Sequence, residues 1–285
     1  MAMTLERLML FDTWAGRKLP ALPPSSWPVI DRILACPEPR QALCRSGQWE
    51  AAALLEDEPL RAETRRIVRA RIAKGWKPIF PGNRYFPEGL VAEGRRCPPL
   101  LWLSGSARGV GADGVGIVGS RILTSQEARF AAGAGQIAAA AGCTVFSGGA
   151  QGADSFALAG AQNARGPAIA FLPGGERECP GSARVSRVPE APPFLRPEAL
   201  ARNRWIYASS RFVLIVASRF NEGGSWAGAI AARRDRLSPI IVFMGARPSS
   251  GNEALAKMGT PTVSSLSAFR HELPRLLQTP QSLAI

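Results

Sequence analysis

The chain has 285 residues, 46% of them hydrophobic, which suits one large or two modest domains with a real core and excludes wholesale disorder. Lysine and arginine number 35 against 22 aspartates and glutamates, a formal net charge of +13 that favours polyanionic partners, nucleic acid first. Arginine is spread along the whole chain, so a general basic bias in composition is the competing account of that charge. Five cysteines, an odd number without a CxxC pair, point away from a disulfide framework or a zinc site and toward reduced thiols in the cytoplasm. His271 is the single histidine, so Ser-His-Asp and Cys-His chemistry lack material. Glu6, Arg7, Asp12 and Arg17 interrupt the leading leucines, and no apolar run reaches the length of a membrane span, so no membrane partner is expected.

In chain order, residues 1–80 read as a helical N-terminal module, with apolar positions Leu5, Leu8, Phe11, Ile30, Ile33 and Leu34 on either side of a Pro-rich break at 19–28. Its last helix runs from Leu60 to a stop at Gly75, with Ile67, Val68 and Ile72 together and arginines over the rest, a solvated basic face or a DNA contact. Residues 81–112 read as an irregular connector, 113–264 as a Rossmann-like domain and 265–285 as a C-terminal helix and tail. Within the central stretch, short apolar runs alternate with helical segments, the pattern of a mostly parallel α/β sheet with right-handed crossovers. Strands are expected at 115–118, 144–147, 168–172, 212–217 and 240–243, with a shorter one near Thr262. The helices fall at 125–141, 153–164, 198–209, 225–234, 253–258 and 265–277, and the Pro-rich stretch 189–197 reads as a loop.

Two of these strands empty into glycine-rich turns, Gly119-Ser120-Arg121 and Ser147-Gly148-Gly149-Ala150-Gln151-Gly152-Ala153-Asp154. Each turn precedes an alanine-rich helix, so two helix N-termini can converge on one crevice and favour phosphate oxygens. Glycines let backbone approach a ligand closely, and Ser147 supplies a hydroxyl at a strand end. Asp154 would repel a bare phosphate, so it is assigned to bracing the loop through its amides and the helix dipole. Arg202-Asn203-Arg204 falls in a later helix, where two guanidiniums could clamp phosphates and the adjacent Trp205 and Tyr207 could stack bases; the alternative has Trp205 and Ile206 packed inward. Gly223-Gly224-Ser225 is a third anion-receiving turn, with Ser225 as N-cap. Pro173-Gly174-Gly175 reads as a plain loop. Gly114-Val115-Gly116-Ile117-Val118-Gly119 matches the dinucleotide fingerprint formally, but its first glycines precede or interrupt the strand, so no nicotinamide cofactor is expected.

Together these positions resemble the DNA-processing protein A (DprA, or Smf) family, over about residues 85–259. The likeness rests on Pro98-Pro99-Leu100-Leu101-Trp102, Gly116-Ile117-Val118-Gly119-Ser120-Arg121, the Ser147–Asp154 turn, Arg202-Asn203-Arg204-Trp205-Ile206, Gly224-Ser225 and Gly251-Asn252. It implies an extended Rossmann-like domain, single-stranded DNA as ligand, a homodimer, RecA recombinase as the partner loaded during natural transformation, and no cofactor or catalysis. Gly119, Ser120, Arg121, Ser147, Gly148, Gly149, Gly152, Arg202, Asn203, Arg204, Gly224 and Ser225 then become the DNA-contact candidates, with Asp154 bracing. The chain departs from the family pattern at Leu158, where a His is usual, at Ala217, where a Glu is usual, and at Gly228, where a Thr is usual. The winged-helix tail of many members is not expected after His271. Two alternatives from the wider superfamily stay open, a sensor of a small nucleotide and a nucleotide N-glycosidic hydrolase. The hydrolase would need a placed carboxylate that neither Pro173–Arg177 nor Glu222–Gly228 supplies.

Overall fold

The fold is described from a computed structural model, covering residues 38–278 apart from 48, 113, 175–178, 188 and 190–195. The helical expectations for residues 1–37, most of the 189–197 loop, part of the Pro173–Arg177 turn and the tail beyond 278 lie outside the described residues.

Three helices lead, α1 (Pro39–Arg45), α2 (Trp49–Leu54) and α3 (Glu58–Ala73). Asp57 caps α3 by accepting from the Leu60 amide at 2.9 Å, and Gly75, at φ +80°, turns the chain away after its end. The remaining elements are β1 (Lys77–Ile79), α4 (Glu88–Val91), β2 (Leu101–Gly105), β3 (Gly114–Val118), α5 (Ser125–Ala140), β4 (Thr144–Ser147), α6 (Ala153–Asn163), β5 (Ala168–Leu172) and β6 (Ala183–Ser186). They continue with α7 (Arg196–Ala208), β7 (Ser210–Ile215), α8 (Gly223–Arg234), β8 (Ile240–Phe243), α9 (Ser250–Lys257), β9 (Thr262–Val263) and α10 (Leu266–Gln278).

The strands form one sheet in the order β1-β2-β6-β5-β4-β3-β7-β8-β9, with β3 through β9 parallel and β1 and β2 antiparallel at one edge. From β5 to β9 this is the doubly wound Rossmann order. Alternate side chains of each central strand enter two cores, as a parallel sheet covered on both faces requires. Val118, Phe146, Ile169, Phe171, Val213 and Ile215 pack with Ile206, Ala229 and Leu255 on one face. Val115, Ile117, Val145, Ala170 and Leu214 pack with Phe130, Ala157 and Phe269 on the other.

The connector expected to be irregular holds one strand, β2, and a short helix; β1 lies just before it, inside the stretch expected to be helical, and a further strand, β6, follows β5. Their sequence signals are weak for physical reasons. Lys77-Pro78-Ile79 is too short for a period, Leu100-Leu101-Trp102-Leu103 reads equally as buried helix, and Ala183-Arg184-Val185-Ser186 is marked as strand only by its pairing to β2 on one side and β5 on the other. Leu100 and Trp102 turn toward Val68 of α3 and Trp76, and the Arg71 guanidinium lies 4.8 Å from the Trp102 ring centroid. Helix α3 is thereby docked on the antiparallel edge.

Candidate nucleic-acid interface

Winding reverses between β3 and β7, so the chain leaves these neighbours toward opposite sides and opens a crevice beyond their carboxyl ends. Ser120 bridges the two strand ends, its amide and its hydroxyl both donating to the Ala217 carbonyl, at 2.9 and 3.3 Å. A side chain at Gly119 would begin 2.7 Å from the Ala153 Cβ and 3.1 Å from the Ala217 nitrogen, so only glycine allows this approach. Gly152, at φ +84°, sits against the Ser120 and Arg121 carbonyls, and the Ala153 amide donates to Ser120 O at 3.2 Å. The two glycine turns therefore pack on each other, with Arg121 exposed at their junction.

Beneath them lies a buried charged pair. Arg202 and Asp154 are 8% and 5% exposed, with Nη1 3.7 Å from Oδ2. The guanidinium lies against Gly148, where any Cβ would collide with Nη1 and lie 2.5 Å from the Asp154 carboxylate. Asp154 also accepts from the Ala150 amide at 3.4 Å. Burial pushes its carboxyl above the ordinary range, against the pull of Arg202, the Ala150 amide, Ser147 and the Gly119 amide. Burial and the Asp154 charge likewise push the Tyr207 phenol up. Ser147 is fully buried and donates to Ile117 O at 2.5 Å, so its hydroxyl ties β4 to β3 instead of facing the crevice.

On the opposite wall, the Asn203 side-chain amide donates to Gly224 O at 3.3 Å, joining α7 to the start of α8. That helix begins at Gly223 with Glu222 in the N-cap position, so Ser225 lies inside the first turn and is not the cap. Arg204 points elsewhere: its guanidinium is taken by Glu93 and Asp235, and Arg96 and Arg234 share the Asp235 carboxylate at 3.0 and 2.7 Å. Trp205 and Tyr207 are 5% and 2% exposed, packed in the core beneath α7 and closed to any base. The crevice thus unites Gly119, Ser120, Arg121, Gly148, Gly149, Gly152, Arg202, Asn203, Gly224 and Ser225, and separates Arg204 from them.

Behind the wall, Asn252 is fully buried and donates to the Ile215, Val216 and Phe243 carbonyls at 3.1, 3.1 and 2.9 Å, while accepting from the Ser218 hydroxyl at 2.8 Å. Gly251 lies so close to Ser218 that a Cβ would come within 2.8 Å of its backbone. These contacts give the Gly251-Asn252 pair a structural role, closing the ends of β7 and β8 with groups that would otherwise be unpaired. Among the described residues no cluster of His, Cys, Asp and Glu could hold a metal ion, and no helix is long and apolar enough to cross a membrane.

Residues 77–274, most of the chain, match the sequence profile of DNA recombination-mediator protein A. The chain belongs to that family. DNA processing protein A from Streptococcus pneumoniae has the same fold, with a TM-score of 0.66 and 19% identity over 95% of this chain and 99% of its own. The Helicobacter pylori DNA processing protein A, described for its single-stranded DNA binding mode, superposes with a TM-score of 0.60 at 20% identity, covering 70% of this chain and 96% of its own. No curated protein is significantly similar to the chain by sequence. In this DprA-family member, three apolar side chains that sequence reasoning passed over stand on two turns and at the start of α6. Ile122, Phe156 and Phe220 are 89%, 44% and 57% exposed, and Phe220 meets Trp226 edge to face at 5.0 Å. No periodicity marks them, because each sits in a turn or at a helix start.

Proposed function

We propose that the protein binds unpaired DNA without chemical turnover, in the crevice beyond β3 and β7. Arg121 meets the backbone phosphates, the packed glycine turns present backbone to the strand, and Arg202, paired with Asp154, braces those turns from beneath. Asn203, Gly224 and Ser225 form the facing wall. The observation that carries this reading is a basic, backbone-lined crevice whose nearby carboxylates are already engaged, Asp154 against Arg202 and Glu222 against Arg219 at 3.2 Å. A hydrolase passing through an oxocarbenium-like state needs a carboxylate held at the reacting carbon, whereas Asp154 is buried beneath the turns and Glu222 stands on the surface in an exposed pair with Arg219. Phe156 and Phe220 favour a single strand over a duplex, since only unpaired bases present their faces to an aromatic ring, and such stacking is worth about 1–3 kcal/mol per base; Ile122 adds apolar surface. The single-stranded DNA binding of the H. pylori protein with this fold supports the same ligand.

The family's description as recombination mediators supports a finer proposal, that a cytoplasmic homodimer passes the strand to the RecA recombinase. Light scattering showing only monomer, or RecA filament formation indifferent to the protein, would count against it. For binding itself, fluorescence anisotropy should rank single-stranded oligonucleotides above duplexes and mononucleotides. Arg121→Ala should weaken the single strand about tenfold, the loss of about 1.4 kcal/mol expected for one charge-assisted phosphate contact. Equal affinity for duplex, or a preference for mononucleotides, would overturn the reading.

A further inference from the structure

Over β3 to β5, one face of the sheet is covered by α5 and α6, and over β2 it is covered by α3 and Trp76. Between these covers lies β6. The described part of the connection from β5 to β6 contains no helix, and an open trench of about 590 Å³ remains there, within the roughly 300–1,000 Å³ range of small-ligand sites. Its floor is the antiparallel pairing of Ser104 with Arg184, and its wall is the run Cys179 to Ser182. A side chain at Gly105, at φ +92°, would lie 2.5 Å from Ser182 O, so glycine is required where the end of β2 meets that wall.

Arg184 is the one charged group among the described lining residues, and no carboxylate pairs with it among the described residues. It is held in place by donation to the Ser104 hydroxyl at 3.3 Å and by the Trp76 ring, whose centroid is 5.8 Å away. The Ser182 hydroxyl, which also lines the trench, is bonded to the Ala168 backbone, accepting from its amide at 3.0 Å and donating to its carbonyl at 3.1 Å. A half-buried guanidinium that no described carboxylate pairs with, beside the Ser104 hydroxyl, suits a phosphate-bearing ligand. The trench also abuts the crevice: the Cys179 sulfur lies 3.2 Å from where a Gly149 Cβ would stand, so the glycine turn forms the sill between the two.

We propose that this trench is a second nucleotide subsite, in which Arg184 takes a phosphate of the same unpaired strand after it crosses Gly149 and Cys179. The proposal rests on single-stranded DNA binding in the crevice. Binding of an oligothymidylate ladder from about 4 to 16 nucleotides tests it, a span drawn from known single-strand site sizes. Arg184→Glu should leave the shortest oligomers unaffected, weaken the longer ones about tenfold, and reduce their salt slope by about 0.7, the value for one phosphate on a single strand. Arg121→Ala should weaken every length. If Arg184→Glu binds every length as the parent does while Arg121→Ala is impaired, the subsite is overturned and the crevice stands. If the parent binds no single strand, both fall. Covalent trapping is independent of any effect of Arg184→Glu on folding. Oligonucleotides with a disulfide-activated tether on a terminal base should be captured by the parent from one end, and not by Cys179→Ser. Capture from neither end, or capture unaffected by Cys179→Ser, would overturn the proposal.

Discussion

Arg202 and Arg204 are separated by a single residue and end in different environments. At about 100° per residue, two positions apart on α7 point to nearly opposite sides, so one guanidinium enters the crevice while the other joins an ionic cluster. Sequence alone makes them a pair; helical geometry divides them. In that cluster, hydrogen bonds from Arg234 and Arg204 hold the Asp235 carboxyl well below its ordinary 3.8. As pH falls the unfolded chain takes up the proton first, so this group's stabilisation is complete above that value and is withdrawn below it. Thermal denaturation of Asp235→Asn should therefore show a melting point lowered by a constant amount near neutrality. Parent and variant should converge as the pH drops below about 4. A gap that stays constant to lower pH would refute the assignment. Gly148 is also read differently in three dimensions, since added bulk there would displace Arg202 and Asp154 before it met any ligand.

Among the elements, the position of the crevice depends on how closely α5 and α6 approach. Gly135 faces the Ala157 carbonyl and Gly160 the Ala132 carbonyl, each so near that a Cβ would collide with backbone, and Ala131, Ala134, Ala157 and Ala161 are fully buried around them. The capping box of Thr124 and Glu127 starts α5, with the Glu127 amide donating to the Thr124 hydroxyl at 3.2 Å. Gly160→Ala must push the helices apart, and overpacking of this kind costs about 1–3 kcal/mol. Urea denaturation should show that loss, and single-strand affinity should fall as well, because α6 carries Gly152 and Asp154 at its start. A Gly160→Ala protein as stable as the parent would exclude the close approach. The alanine-rich composition of both helices is visible in the sequence and marks small-residue faces, but which faces meet is set only by packing.

For the whole molecule, the +13 charge is delocalised, so electrostatic attraction alone would bind any polyanion weakly and at many places. On the proposed function, the crevice converts that general attraction into a local site. Log affinity for single-stranded DNA should fall with log salt by about 0.7 per phosphate contacted, and Arg121→Ala should lessen the slope by about that amount. A flat salt response in the parent would point to a small neutral ligand. At one edge of the sheet, β1, β2 and β6 widen the Rossmann core and dock α3 through Trp102 and Trp76.

The central strands, the two glycine turns and the family resemblance could be read from residues alone, because buried parallel strands and close-packed turns demand local residue types. Gly119, Gly148 and Gly152 are explained by contacts that exclude a Cβ. The edge strands, the burial of Ser147 and Trp205, the diversion of Arg204 to Glu93 and Asp235, and the exposure of Ile122, Phe156 and Phe220 were decided only by tertiary structure. Each depends on a partner far away in the chain, and a short segment of sequence holds no information about which distant surface will cover it.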